Sequence, residues 1–358
     1  MLIFHIGRPK TGSSAIQAFL DVNRAALARE HRILYPNLGA GALDEGEALN
    51  HSALIVHAAI GHAAERIAEA YRFAQRTGCE QLVISSESPH PRYVEIVAQV
   101  RRQLSAPVRV ICYLRRQDHM VESYWKQWGI KSAAPDVATY VERMLQRLAR
   151  GEPCELDYRH PLSLWARCVG AGALVVRSYE KSQLREKDVV ADFLALIGVA
   201  DRAGLRLPEE NARTANRGFS PEAMAFLDLC RGSLGPLHDH RMFELFDEAF
   251  GEGGRKRPFE SYRLLSPGLR LRILAACEPS NAEVAREFCG RADGRLFLEP
   301  WPRPDEPWAP VRLSPEDAGS MLFQVLVCQG RKLAQLKLGV KKVRARLEAL
   351  AAAGAARP

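Results

Sequence analysis

The sequence predicts an α/β protein: a parallel sheet flanked by helices, followed by a helical cap and a long C-terminal helix. Three observations predict it. Near-continuous apolar runs at 2–6, 82–86, 108–114 and 173–178 read as strands buried on both faces. Helical patterns fall between these runs, as in a βαβ succession. Beyond residue 201 the strand pattern fades and only helical patterns continue. A chain of 358 residues with 47% hydrophobic content is long enough to bury a substantial core.

The first strand, Leu2 to Ile6, runs into GRPKTGSS at 7–14. A helix is expected from Ser13 to Arg29, with Ile16, Phe19, Leu20 and Leu27 on its apolar face. Residues 39–46 read as a flexible loop, and an alanine-rich helical pattern spans His51 to Ala74. Strands LVISS at 82–86 and VRVICYL at 108–114 follow, then helix from about Asp118 to Gly129 and from 136 to 150. The strand at 173–178 leads through YEKSQL into the helix VVADFLALIG. Short helices are expected at 220–231, 240–250, 266–277 and 281–288, and five prolines in EPWPRPDEPWAP at 299–310 read as a stiff spacer. The expected organisation is an α/β core at 1–200, a helical cap or acceptor region at 201–298, a Pro-rich linker at 299–312 and a basic amphipathic helix at 313–358.

Composition narrows the partners. No run approaches 18 uninterrupted apolar residues and no cleavable leader opens the chain, so a soluble, cytoplasmic protein is expected. The eight cysteines never form C-x-x-C, which argues against zinc. Of the net charge of +8, residues 331–348 carry +6, from seven Lys or Arg against Glu348, leaving about +2 for everything else. The body is nearly neutral, so nucleic acid is not an expected partner. In the tail, Leu322, Leu326, Leu333, Leu336, Val340, Val343, Leu347 and Leu350 recur at spacings of three and four, with Gln329 the polar seam position. That pattern fits a homodimer through the C-terminal helix or a tail packed on its own domain. Peripheral membrane contact is disfavoured by the narrow seam.

The loop carries the chemistry. A strand ending in a glycine-rich turn that opens a helix points backbone amides and the positive end of the helix dipole at one place, where an anion belongs. Against the nucleotide loop G-x-x-x-x-G-K-[ST], Gly7, Gly12 and Ser14 fit, but Ser13 stands in the lysine slot and the lysine is Lys10. Enzymes of that loop class also need an Asp closing a later apolar strand to hold Mg²⁺. Here the strand at 82–86 runs into Glu87 and the strand at 108–114 into Arg115 and Arg116, a pair suited to a second phosphate and not to a metal. No metal is expected.

These residues resemble the sulfotransferases that use 3′-phosphoadenosine 5′-phosphosulfate (PAPS), whose 5′-phosphosulfate loop has the form P-K-[ST]-G-[ST]-[ST]. Pro9, Lys10, Thr11, Gly12, Ser13 and Ser14 match it throughout, and Arg115 with Ser123 eight residues on matches the family's 3′-phosphate signature. Tyr179 falls where members place an aromatic residue beside the adenine. The start HIGRPKTGSS and the segment YLRRQD look most like bacterial members. The resemblance covers roughly residues 1–200 and implies a P-loop-like fold. It also implies PAPS as co-substrate with 3′,5′-adenosine bisphosphate (PAP) as product, and metal-independent transfer with Lys10 stabilising the leaving phosphate. The sequence departs from many eukaryotic members in having Ala15 where they place Trp, and in lacking their R-x-G-x-x-G-D-W segment, for which GRKRP at 254–258 could substitute.

An acceptor hydroxyl needs a general base. Glu87, at the carboxyl edge of the sheet, and His51 are the candidates; His90 trails them, and His5 reads as buried and structural. The acceptor itself is a small molecule or glycan, such as a carbohydrate, a glycolipid or another small metabolite. A P-loop kinase or nucleotide hydrolase, and a non-catalytic scaffold of sulfotransferase-like fold, are the competing expectations.

Overall fold

The computed structural model describes residues 1–8, 10–38, 51–87, 91–128, 136–208, 219–230, 241–251 and 263–355. Five strands, β1 (Leu2–Ile6), β2 (Ile33–Leu34), β3 (Gln81–Ser86), β4 (Val108–Leu114) and β5 (Leu174–Ser178), form one sheet in the order β2-β3-β1-β4-β5. Every pairing is parallel, with Ile6 opposite Ser86 across β1 and β3 and Leu114 opposite Ser178 across β4 and β5. The α/β class expected from the apolar runs is what the chain adopts.

The helices are α1 (Ser13–Val22), α2 (Arg24–His31), α3 (Ser52–His57), α4 (Ile60–Arg76), α5 (Pro91–Gln103), α6 (Gln117–Trp128), α7 (Val137–Ala149), α8 (Arg159–Val169), α9 (Val189–Leu196), α10 (Pro221–Cys230), α11 (Arg241–Phe250), α12 (Pro267–Cys289) and α13 (Pro315–Ala355). Alternate strand residues point to opposite faces, and both faces are apolar. Leu2, Phe4, Leu82, Ile84, Val110 and Cys112 pack with Ile67, Val97 and Trp165 of α4, α5 and α8. Ile3, Val83, Ile111 and Tyr113 pack instead with Phe19, Leu27 and Phe193 of α1, α2 and α9. The sheet is therefore sandwiched between two helical layers.

The expected single helix from Ser13 to Arg29 is two helices, broken at Asn23. The Asn23 side chain donates to the carbonyls of Phe19 and Arg206 at 2.8 Å each, ending one helix and tethering a distant segment. Likewise the pattern from His51 to Ala74 divides at Ala58 and Ala59 into α3 and α4.

The chain separates into two compact units. The first comprises 1–125, 137–216 and 265–308, so the expected boundaries at 201 and 299 do not hold. The reason is α12: Val284 and Ala285 are buried in the same cluster as the strand residues, and Ile273 and Cys277 pack with Val121 and Val141. The Pro-rich stretch is also anchored in this unit, because Arg116 donates to the carbonyls of Glu299 and Pro300 at 2.9 and 3.0 Å. The second unit comprises 126–136, 217–264 and 309–358. Within it Phe226 meets Phe246 edge to face, and Met321 and Val325 of α13 pack on the same apolar cluster. Among the described residues no helix is long and apolar enough to cross a membrane.

Candidate functional site

In the order β2-β3-β1-β4-β5, the chain leaves β1 toward one edge of the sheet and leaves β4 toward the other. The crevice between β1 and β4 is thus the topological switch point, where open α/β sheets place ligands beyond their carboxyl ends. Gly7 and Arg8 leave β1 at this place, and Arg115 leaves β4.

The loop fits closely round a point. A Cβ on Gly7 would lie 2.1 Å from Ser13 Oγ, so no larger residue fits without displacing that hydroxyl. Gly12 has φ +80°, and a Cβ there would lie 2.8 Å from Val189 Cγ1 and 3.1 Å from Tyr179 Cε2. Both glycines are needed for the chain to turn this tightly into α1. Lys10 also takes the left-handed region, φ 69°, which a lysine adopts only when its surroundings hold it. Two contacts hold the turn: Thr11 Oγ1 donates to the Arg8 carbonyl at 2.6 Å, and Arg115 Nη1 donates to the Lys10 carbonyl at 3.0 Å. Pro9 lies outside the described residues, as do His90 and the segment 254–258.

Lys10, Arg115, Glu87, Ser14 and Tyr179 meet at this loop. Burial and the nearby Arg115 charge lower the Lys10 pKa, and the Glu87 carboxylate pulls it back up. For Glu87 burial raises the pKa, while Lys10 and a hydrogen bond from Ser14 Oγ, at 3.4 Å, oppose the rise. The Arg115 guanidinium lies 5.9 Å from the centre of the Tyr179 ring, and Tyr179 N–H donates to the Leu114 carbonyl at 2.6 Å. Two cations whose charges disfavour one another, Lys10 and Arg115, thus stand with one carboxylate, Glu87, at the start of α1. Ser123 is half-buried on α6, two helical turns beyond Arg115.

Two expected roles do not fit this placement. Arg116 turns away from the loop and is buried in a bidentate pair with Asp118, at 2.8 and 3.0 Å, so the arginine pair does not act together. Burial alone would raise the Asp118 pKa, but the Arg116 hydrogen bond and the charges of His119, Arg116 and Arg270 bring it to about 2. His51 is buried with both ring nitrogens engaged: Nδ1 accepts from Ser85 N–H at 2.9 Å and Nε2 donates to the Pro36 carbonyl at 2.8 Å. Burial depresses its pKa to about 4, although the Pro36 bond opposes this. It positions the end of β3 and has no nitrogen left to take a proton from a substrate.

Other contributors carried no local sequence signal. Tyr158 Oη donates to the Arg115 carbonyl at 2.6 Å, and the Arg8 guanidinium stacks 4.9 Å from the Tyr158 ring. Beneath the loop, Ser85 Oγ accepts from Gln17 Nε2 at 3.0 Å and lies 2.9 Å from His5 Nδ1. With that hydroxyl donating to Nδ1, the His5 proton sits on Nε2, a buried atom with no hydrogen-bond partner among the described residues and only 3.3 Å from where a Gly7 Cβ would stand. Among the described residues no group of three or more His, Cys, Asp or Glu is arranged to hold a metal ion.

The chain is similar to an uncharacterized protein of Archaeoglobus fulgidus, 29% identical over 119 residues that cover 33% of this chain and 30% of that protein. No family model matches the sequence. No solved structure matches it.

Proposed function

We propose that the first unit is a P-loop-like sulfotransferase, cytoplasmic, that moves the sulfuryl group of PAPS to an acceptor hydroxyl. The observation that carries this reading is the placement of Lys10 and Arg115 side by side across the switch crevice, with Tyr179 against the same loop. A nucleoside with anionic groups at both its 5′ and 3′ positions and an aromatic base would use all three. The fit rests on the loop: it is packed so closely that a Cβ at Gly7 would strike Ser13 and one at Gly12 would strike Val189, and it opens into the N-terminus of α1, which favours an anion.

The residues divide the work. Lys10, with the first-turn amides of α1, offsets the charge that develops on the 5′-phosphate oxygen as its bond to sulfur breaks, an interaction stronger in the transition state than before it. Arg115 and Ser123 hold the 3′-phosphate, and Tyr179 packs beside the base. Glu87 takes the acceptor proton as the acceptor oxygen bonds to sulfur; its raised pKa makes it a stronger base than an exposed glutamate. Between Glu87 and His51, the position of the Glu87 carboxylate beside Lys10 and the engagement of both His51 nitrogens favour Glu87.

The test is thermal shift with PAP, with ATP plus Mg²⁺, and with neither, followed by transfer of labelled sulfate from PAPS to a panel of sugars, glycolipids and phenols. Stabilisation by PAP near 2.7 kcal/mol at about a hundredfold excess over Kd is expected. Lys10→Ala should remain folded and lose transfer. Stabilisation by ATP with Mg²⁺ alone would move the reading to a kinase, and no response to any nucleotide to a scaffold.

A further inference from the structure

Beneath the loop lies a polar group that the proposed transfer does not use. His5 of β1 is fully buried, and its Nε2 has no hydrogen-bond partner among the described residues. Buried polar atoms are nearly always paired, so an orphan at a ligand loop points to a partner that arrives with the ligand. The proton on this atom is fixed by its neighbours. Gln17 Nε2, on α1, donates to Ser85 Oγ at 3.0 Å, and Ser85 Oγ lies 2.9 Å from His5 Nδ1. A serine hydroxyl has one proton to give, so Ser85 accepts from Gln17 and donates to Nδ1, which leaves the imidazole proton on Nε2. Burial depresses the His5 pKa to about 3, and the ring stays neutral with that one donor.

Nε2 is aimed into the loop. It lies 3.3 Å from the point a Gly7 Cβ would occupy, and Ser13 Oγ lies 2.1 Å from the same point. Ser13 is itself buried, and its hydroxyl has only a long contact, 3.5 Å, with Thr11 Oγ1, whose own proton goes to the Arg8 carbonyl. No side chain caps the N-terminus of α1, the ten-residue helix that Ser13 opens. An oxyanion at that N-terminus is a stronger acceptor for the Ser13 proton than Thr11 is.

We propose that His5 is a positioning residue of the loop: with an oxyanion bound at the N-terminus of α1, His5 Nε2–H donates to Ser13 Oγ and holds the Ser13 proton on the anion. The proposal rests on the loop being an oxyanion site, as the sulfotransferase reading has it, but not on the choice of nucleotide. The experiment is long-range proton–nitrogen NMR of the imidazoles in the full chain, titrated separately with inorganic sulfate, PAP, and ATP plus Mg²⁺. The free protein should show His5 protonated on Nε2 and bare on Nδ1. On binding, the Nε2 signal should shift and its proton should exchange more slowly with solvent.

Variants add the affinity. His5→Asn keeps a polar group toward Ser85 and lacks the outer donor, so anion affinity should fall roughly three- to tenfold. His5→Gln, whose amide reaches the Nε2 position, should restore it. In a Ser13→Ala background His5→Asn should cost nothing further, a coupling that a purely structural role would not produce. His5 protonated on Nδ1, an Nε2 signal unmoved by a bound anion, or a His5→Asn cost undiminished without the Ser13 hydroxyl would overturn the proposal. PAP binding with a silent Nε2 would overturn it and leave the sulfotransferase reading standing. Binding of sulfate or ATP but not PAP would end that reading, while the same Nε2 shift would still support the role of His5. Binding of none of the three would overturn both.

Discussion

Arg115 Nη1 donates to the main-chain carbonyl of Lys10 at 3.0 Å, joining the segment after β4 to the loop after β1 across the crevice between those strands. The contact couples two residues 105 positions apart and supports a lysine at φ 69°. Tyr158 in turn fixes the Arg115 carbonyl, so the guanidinium approaches the loop from a backbone that is itself held. Arg115 thus has two parts to play, shaping the cradle and supplying charge beside it.

These parts are separable. Arg115→Lys keeps the charge but loses the planar fork that reaches the Lys10 carbonyl. PAP affinity should fall roughly ten- to a hundredfold, the usual cost of losing a hydrogen bond to a charged group. Arg115→Ala should weaken PAP much more than adenosine 5′-phosphate, measured by calorimetry. Equal losses for the two nucleotides would mean that Arg115 acts on the loop alone.

Glu87 is raised by burial, and so its removal has opposite consequences for stability and turnover. A carboxyl whose folded pKa lies above its unfolded value favours folding at low pH and loses that contribution as pH rises through the folded pKa. At pH 7, therefore, Glu87→Gln should not lower Tm, while kcat for transfer should drop about 10²- to 10⁴-fold. In the wild type kcat should climb with pH through a midpoint above the ordinary glutamate range. A Gln variant with normal kcat would remove Glu87 from the chemistry.

At Gly7 the limit is contact with one hydroxyl. Gly7→Ala places its methyl 2.1 Å from Ser13 Oγ, an overlap that should destabilise the fold by about 1–3 kcal/mol. Removing the hydroxyl leaves the next contacts at 3.2 Å to Ser13 Cβ and 3.3 Å to His5 Nε2, so Gly7→Ala with Ser13→Ala should recover part of that loss. Urea titration of the two single variants and the double variant measures the coupling; strictly additive effects would place the strain elsewhere.

The strands with near-continuous apolar runs were legible because burial on both faces leaves no other composition open to them. The two-residue β2 offered too few residues to show any period, and α5 and α8, to which the sequence reading assigned no element, carry Pro91 and Pro161 in their first turns. Helix α12 passes through Pro279, where the sequence suggested two helices; packing of Ile273 and Val284 on either side keeps it continuous. At the site, the loop and Arg115 could be read because strand–glycine–helix chemistry is local. That Arg116 faces away and that His51 is spent on Ser85 and Pro36 depends on partners distant in the chain, which no spacing encodes.

The polar layer beneath the loop has its own signature in pH. His5 and His51 are both buried neutral, with burial depressing their pKa values to about 3 and about 4 from 6.5. A folded pKa below the unfolded one contributes stability that is present above pH 6.5 and is lost as pH falls toward the folded value. Between pH 6.5 and 5 each should cost about 1.4 kcal/mol of unfolding free energy per pH unit. Glu87 works in the opposite sense over part of this window, so the comparison that isolates a histidine is wild type against His51→Gln. The variant should be less stable at pH 7, where its bonds to Ser85 and Pro36 are disturbed, yet lose stability on acidification less steeply by about 1.4 kcal/mol per unit. Urea unfolding at pH 7, 6 and 5 measures both. An unchanged slope would show that His51 takes up its proton without unfolding, and the end of β3, with Glu87 on it, would then not be pinned by a neutral imidazole.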